Sequence, residues 1–147
     1  MFNSILVVCI GNICRSPVAE RMLQQLLPEK KISSAGVGAL VGHPVDALAA
    51  EVAAKYGLDT SGHVARQLTP ELCRGQDLIL AMSEENREQV YRIAPEARGK
   101  VMLIGKWLDD AEIPDPYKQS RRVHEEAYQL LDLATQSWVN VIKIQFL

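Results

Sequence analysis

The sequence has no excess of basic residues and no long apolar run. Its 16 Lys and Arg are balanced by 18 Asp and Glu, which gives a formal net charge of -2. This balance argues against nucleic acid as a partner, because proteins that bind nucleic acid normally present a basic face. The first apolar run, residues 5–10, follows no basic region and is far too short for a signal peptide or a membrane-spanning helix. We therefore expect a cytoplasmic protein that does not insert into membranes.

Cysteine and histidine are also scarce, with three of each in the chain. An odd number of cysteines does not suit a disulfide framework, and free thiols are the expected state in a reducing cytoplasm. The histidines, His43, His63 and His124, are scattered without the spacing of metal ligands, so we predict no metal site. A cysteine with a special role is therefore expected to be reactive rather than structural.

Apolar runs and helix-like segments alternate along the chain, and a chain of 147 residues fits one domain, residues 1–147. Short unbroken apolar runs are typical of parallel strands that are buried on both faces. We therefore predict an α/β fold: a small, doubly wound, four-stranded parallel sheet in the order 2-1-3-4, with helices on both faces. The predicted strands are residues 4–9, 31–36, 77–82 and 100–105. The predicted helices run from Pro17 after a Ser16 cap, over about 44–56, briefly after Pro70, over 83–93, and from about Arg121.

The predicted ligand site lies beyond the carboxyl end of the first strand, where the winding of such a sheet reverses. There the sequence reads VVCIGNICRSPVAE, with Cys9 at the start of a short loop and Arg15 at its end. The N–H groups of a compact loop and of a helix N-terminus bind anions, and a guanidinium can bind two phosphoryl oxygens at once. The loop therefore predicts a phosphate site, and its other members are Ile10, Gly11, Asn12, Ile13, Cys14 and Ser16.

The same residues suggest a reaction. Positive surroundings favour the thiolate form of a cysteine, so Cys9 is the candidate nucleophile for attack on phosphorus through a phosphocysteine intermediate. Ser16 can donate its hydroxyl to that thiolate. The candidate general acid is Asp115 in IPDPYK, because the prolines on both sides restrict the chain and hold it extended. The same group would then activate water, and this chemistry needs neither a metal nor a cofactor.

Four motifs, in this order, resemble the low-molecular-weight protein tyrosine phosphatases across nearly the whole chain. They are CIGNICRSPVAE from Cys9, SAG at 34–36, DLILAM at 77–82 and DPY at 115–117. The resemblance implies hydrolysis of phosphotyrosine in proteins. It also implies a nucleophile, a phosphate-binding arginine, a general acid and two supporting loop residues, namely Cys9, Arg15, Asp115, Asn12 and Ser16.

Two features resemble the bacterial branch of that family. Tyr117 is followed by Lys118, where eukaryotic members usually have a second tyrosine, and the loop GVGALVGHP offers Leu40 and His43 in place of a bulky aromatic residue. With Tyr117, these two residues are expected to line the substrate cleft. Members of this branch are often made alongside tyrosine autokinases of capsule and exopolysaccharide export. The resemblance therefore implies such an autokinase as the partner.

Other interpretations remain open at this point. One class of arsenate reductase shares this fold and loop, but it needs a further cysteine pair, and the only other cysteine outside the loop is Cys73. A phosphotyrosine-binding module without activity could have lost Cys9 or Asp115, and both are present. Cys14 is either a plain loop residue or a partner that captures oxidised Cys9 in a reversible disulfide.

Overall fold

A computed structural model describes residues 2–144 of the chain. The strands are β1 Ser4–Cys9, β2 Lys31–Gly36, β3 Leu78–Ala81 and β4 Val101–Leu103; the helices are α1 Arg15–Leu26, α2 Ala47–Lys55, α3 Pro70–Arg74, α4 Glu84–Ile93 and α5 Arg121–Ile144. A single turn of 3-10 helix, Pro95–Ala97, precedes β4. The four strands form one parallel sheet in the order β2-β1-β3-β4, which confirms the predicted fold class.

Helices cover both faces of the sheet, because alternate residues of each strand point to opposite sides. Ile5 and Val7 pack with α1 and α5, whereas Leu6 and Val8 pack with α3 and α4. Every side chain from residue 5 to residue 9 is consequently buried, which explains why β1 is an unbroken apolar run. The carboxyl end of this fully covered central strand delivers Cys9 to the edge of the sheet.

The start of α1 differs from the prediction. The helix begins at Arg15 with Cys14 in the cap position, so Ser16 is not the cap and Pro17 is not the first helical residue. Ser16 does not cap the helix because its hydroxyl lies against Cys9 and Asn12 instead. The side chain of Cys14 makes no capping hydrogen bond. The first N–H groups of α1 therefore keep their hydrogen-bonding capacity for another acceptor.

The other boundaries shift by a few residues. Helix α2 starts at Ala47 rather than near Pro44, because the Asp46 carboxylate accepts a hydrogen bond from the Ala49 N–H and so caps the helix. Strand β4 has three residues where six were predicted, since the chain turns after Leu103. Helix α5 is anchored to that turn through the Trp138 indole N–H, which donates to the Ile104 carbonyl at 2.9 Å. Within residues 2–144, no helix is both long and apolar enough to span a membrane.

Candidate active site

A pocket of about 130 Å³ opens at the carboxyl edge of the sheet, between the loop after β1 and the loop after β4. Cys9 is almost completely buried in this pocket, with 2% of its surface exposed, whereas Ile10 and Tyr117 are 40% and 38% exposed. The sulfur is thus recessed behind a more exposed rim. The lining consists of Cys9, Ile10, Gly11, Ile13, Cys14, Arg15, Gly38, Leu40, Asp115 and Tyr117.

Asn12 holds the loop in its curled form. Its backbone is left-handed, with φ of 58°, and its side chain is fully buried behind the pocket. The amide oxygen accepts from the Arg66 N–H at 2.9 Å, so the amide nitrogen must face the other way. It donates to the Ser16 and Ser34 hydroxyls at 2.8 and 3.0 Å. Asparagine is among the few residues that tolerate this conformation and can fix it with local hydrogen bonds.

Ser16 lies next to the candidate nucleophile, with its oxygen 2.9 Å from the Cys9 sulfur. Since Asn12 donates to that oxygen, the serine hydrogen is free to point at the sulfur. A hydroxyl donor at this position stabilises a thiolate. It also stabilises the sulfur when the sulfur later acts as a leaving group.

Arg15 is buried at the base of the pocket with 5% of its surface exposed. One terminal nitrogen donates to the Ile113 carbonyl at 2.9 Å, and the other lies 3.7 Å from the Asp115 carboxylate. Its Nε is buried and has no hydrogen-bond partner. A buried unpaired N–H is costly, so this donor, beside the open amides of α1, indicates an anion as the natural occupant of the pocket.

Asp115 lines the same pocket as Cys9, with a side chain that is 44% exposed. Its Oδ1 accepts from the Tyr117 backbone N–H at 3.1 Å, and its Oδ2 faces Arg15. Pro116 is buried immediately after it. The carboxyl group is consequently held over the pocket while remaining open to solvent and to a leaving group.

The structure brings together most of the residues singled out in the sequence, but not all in the same way. Asn12 and Ser16 support the loop from behind rather than lining the pocket. His43 is exposed and does not line the pocket, which departs from its predicted place in the cleft. The reason is local: its N–H donates to the Leu40 carbonyl and its carbonyl accepts from Ala65. His43 therefore braces the loop that presents Leu40.

Several supporting residues were not found from the sequence. His63 Nε2 lies 2.6 Å from the Asn12 carbonyl, so this nitrogen carries a hydrogen and donates to the loop. A Cβ added to Gly36 would collide with the Ile10 carbonyl, because the loop packs directly on the end of β2. At Gly11, by contrast, a Cβ would make only ordinary contacts of 3.6 Å or more. The SAG motif was the one available signal for Gly36, and no local pattern marks His63.

Cys14 differs from Cys9 in its surroundings. Burial raises the pKa of the Cys14 thiol far above its ordinary value. The negative charges of Asp46, Cys9 and Asp115 add to this effect, and Arg15 opposes it. Cys14 is therefore a neutral thiol at physiological pH and a poor nucleophile.

The fold and the pocket define a class of protein: an α/β fold in which a buried cysteine and a buried arginine share a pocket at the carboxyl edge of a parallel sheet. The model of the low molecular weight phosphotyrosine protein phosphatase family matches residues 4–146. The chain belongs to this family and is a protein tyrosine phosphatase. This agrees with the resemblance of its motifs.

Individual relatives are similar over nearly their full length. The low molecular weight protein-tyrosine-phosphatase Etp of Escherichia coli K12 is 57% identical over 93% of both chains. Among solved structures, Wzb of Escherichia coli K30 in complex with sulphate has a TM-score of 0.95 and 55% identity, covering 97% of this chain and 99% of that one. Vibrio vulnificus Wzb in complex with benzylphosphonate has a TM-score of 0.93 and 52% identity, covering 95% of this chain and 99% of that one.

Proposed function

We propose that Cys9 attacks the phosphorus of a bound phosphotyrosine and that Asp115 protonates the departing tyrosyl oxygen. The phosphoryl group is then carried on the cysteine sulfur, and water activated by the Asp115 carboxylate releases inorganic phosphate. Arg15 and the loop amides bind the equatorial oxygens, where charge spreads in the transition state. Ser16 stabilises the thiolate before attack and after release.

The single observation that carries this proposal is the unpaired Nε of Arg15. This N–H is a buried donor on a cationic side chain, and it has no hydrogen-bond partner. Arg15 lines the same pocket as the recessed Cys9 and the half-exposed carboxylate of Asp115. A dianion supplies the missing acceptor. The described residues contain no group of three His, Cys, Asp or Glu side chains that could hold a metal ion, and the proposed steps use none.

The depth and lining of the pocket support an aryl phosphate as the substrate. Leu40 and Tyr117 flank the opening while Cys9 lies buried below them. A tyrosyl stem is longer than a seryl stem, so its phosphate reaches the sulfur more easily. The similar phosphatase from Vibrio vulnificus was solved in complex with benzylphosphonate, a phosphonate that carries a phenyl ring. This agrees with an aryl phosphate as the substrate.

Hydrolysis assays test this substrate class directly. We expect phosphotyrosine peptides to be cleaved far faster than phosphoserine peptides of the same sequence, with unchanged rates in EDTA and inhibition by vanadate. Equal rates on both peptides would contradict the role of pocket depth. Loss of turnover on chelation would contradict the metal-independent mechanism.

For the partner, we propose a bacterial tyrosine autokinase that controls exopolysaccharide or capsule production. We also propose that the phosphatase acts in the cytoplasm and consists of one domain, residues 1–147. The support is the similarity to the bacterial phosphatases Etp and Wzb, and the Tyr117-Lys118 pair that resembles the bacterial branch. An arsenate reductase is less well supported, because Cys73 is fully buried and has no second cysteine beside it for a disulfide relay. Capture of the phosphorylated kinase by an inactive variant tests the partner.

A second expected result concerns oxidation. Cys14 lines the same pocket as Cys9, so its sulfur, once deprotonated, is placed to attack a Cys9 sulfenic acid and form a disulfide with release of water; burial of the thiol makes this step slow rather than impossible. Peroxide should therefore inactivate the wild-type protein in a form that dithiothreitol restores, while the Cys14→Ser protein should recover little activity.

The measurement is the recovered fraction of activity after identical peroxide and dithiothreitol treatment. Cys73→Ala is the matched control and should recover like the wild type, because Cys73 lies on the other face of the sheet. Equal recovery of the Cys14→Ser and wild-type proteins would show that Cys14 is only a loop residue.

A further inference from the structure

Asn86 is a buried amide in the first turn of α4, with 2% of its surface exposed. Its Oδ1 accepts from the Met82 N–H at 3.0 Å. Because a backbone N–H can only donate, this contact fixes which end of the amide is the oxygen. The amide nitrogen therefore faces the Cys9 carbonyl, to which it donates at 3.3 Å, and it lies equally far from the Gln89 side-chain oxygen.

The Cys9 carbonyl belongs to the peptide group that starts the phosphate loop. It accepts a second hydrogen bond, from the Val37 N–H at 3.1 Å. The carbonyl is thus held both by the chain that follows β2 and by α4.

The same peptide group carries the Ile10 N–H. In a planar trans peptide the N–H points opposite to the C=O, and the described residues contain no cis bond. Fixing the direction of the Cys9 carbonyl consequently fixes the direction of the Ile10 N–H. It also limits rotation of the Cys9 backbone, from which the sulfur projects into the pocket.

We propose that Asn86 is a positioning residue for the phosphatase reaction, aiming the Cys9 sulfur and the first N–H of the phosphate loop through its hydrogen bond to the Cys9 carbonyl. This inference rests on the proposed role of Cys9. Asn86 does not touch the substrate. Its contribution is preorganisation: a donor that is already aimed at the phosphoryl oxygens needs no rearrangement in the transition state.

Asn86→Asp separates this role from a merely structural one. The aspartate keeps the oxygen that accepts from Met82, but its second oxygen cannot donate to the Cys9 carbonyl. We expect kcat on a phosphotyrosine peptide to fall by about 10- to 100-fold, less than the loss of an entire oxyanion-hole donor. The inhibition constant for inorganic phosphate should rise several-fold at a temperature at which the variant is still folded. Thermal unfolding sets that temperature, because a buried carboxylate beside a carbonyl oxygen lowers stability.

Two further variants control for charge. Gln89→Glu adds one negative charge next to Asn86 and leaves the Cys9 contact in place, so kcat should stay within about twofold of the wild type. Asn86→Ala removes the donor without adding charge and should also lower kcat. An equal loss in the Gln89→Glu and Asn86→Asp proteins would mean that charge is responsible, and would overturn the inference.

The inference is also wrong if Asn86→Asp retains wild-type kcat and phosphate inhibition. If neither Asn86 variant folds, the residue acts through stability alone and the inference is again overturned. These outcomes differ from a failure of the proposed function, in which the wild-type protein itself would carry no phosphoryl group on Cys9.

Discussion

Replacing Cys9 with serine is expected to abolish turnover and to leave phosphate binding intact. A serine hydroxyl is not ionised at neutral pH and is a far weaker nucleophile than a cysteine sulfur, so the attack on phosphorus is lost. By analogy with other enzymes that lose a nucleophile, kcat should fall by at least about 10⁴-fold. Calorimetry with inorganic phosphate should give binding about as tight as in the wild type, because Arg15 and the loop amides remain.

The matched control is Cys73→Ala, which removes another buried thiol on the opposite face of the sheet and should leave kcat within about twofold. The inactive Cys9→Ser protein should also hold phosphorylated protein substrates, and a tyrosine autokinase is the partner expected in the complex. Substantial turnover by Cys9→Ser would remove Cys9 from the mechanism. Loss of phosphate binding would instead mean that the substitution disrupts the loop.

Replacing Asp115 with asparagine should slow catalysis in a way that depends on the leaving group. An amide cannot protonate the departing oxygen, so kcat should fall by roughly 10²–10⁴-fold on substrates with poor leaving groups such as phenyl or tyrosyl phosphate. The loss in kcat/KM, which reports the transfer of the phosphoryl group to Cys9 and not the later hydrolysis of the phosphocysteine, should be much smaller with p-nitrophenyl phosphate, whose leaving group is already a weak base. A plot of log kcat/KM against leaving-group pKa should therefore become steeper in the variant.

Asp110→Asn is the matched control for this experiment. Asp110 is a nearby exposed carboxylate with φ of 58°, a conformation that asparagine tolerates well. It does not line the pocket, so its replacement should leave both kinds of substrate almost unaffected. The same loss of kcat/KM on good and poor leaving groups in Asp115→Asn would assign the acid role to another residue, with Asp109 or Asp110 next in line.

The sheet was predictable because its strands carry a physical signature. Residues 5–9 are buried on both faces, and a strand of that kind must be apolar at every position. Parallel strands of a doubly wound sheet place their ligand site where the winding reverses. The order of the elements was therefore enough to predict a pocket after β1. Cys9, Arg15 and Asp115, which the sequence singled out for their chemistry, line that pocket.

The support behind the loop was not predictable from local patterns. The Asn12 network depends on Ser34, His63 and Arg66, which are 22, 51 and 54 residues away along the chain. Nothing in the sequence near His63 distinguishes it from a surface histidine, because its function arises only when the chain folds against the loop. The hydrogen bond from Asn86 to Cys9 spans 77 residues and is hidden for the same reason.

The helix boundaries illustrate a competition between two uses of one side chain. Ser16 followed by Pro17 is a strong local signal for a helix start. In the folded protein the Ser16 hydroxyl instead lies 2.9 Å from the Cys9 sulfur, and α1 begins at Arg15 without a side-chain cap. The exception to the local rule coincides with the proposed active site, where open backbone N–H groups would bind the phosphate.

The most direct test of the mechanism is to find where the phosphoryl group resides during turnover. The wild-type protein is mixed with a rapidly hydrolysed aryl phosphate and denatured within milliseconds, and its peptides are mapped by mass spectrometry under conditions that preserve S–P bonds. One phosphoryl group on the peptide containing Cys9, absent in the Cys9→Ser protein, is the predicted result. Turnover at the full rate with the phosphoryl group on another residue, or with no covalent intermediate in the burst phase, would contradict the proposed role of Cys9.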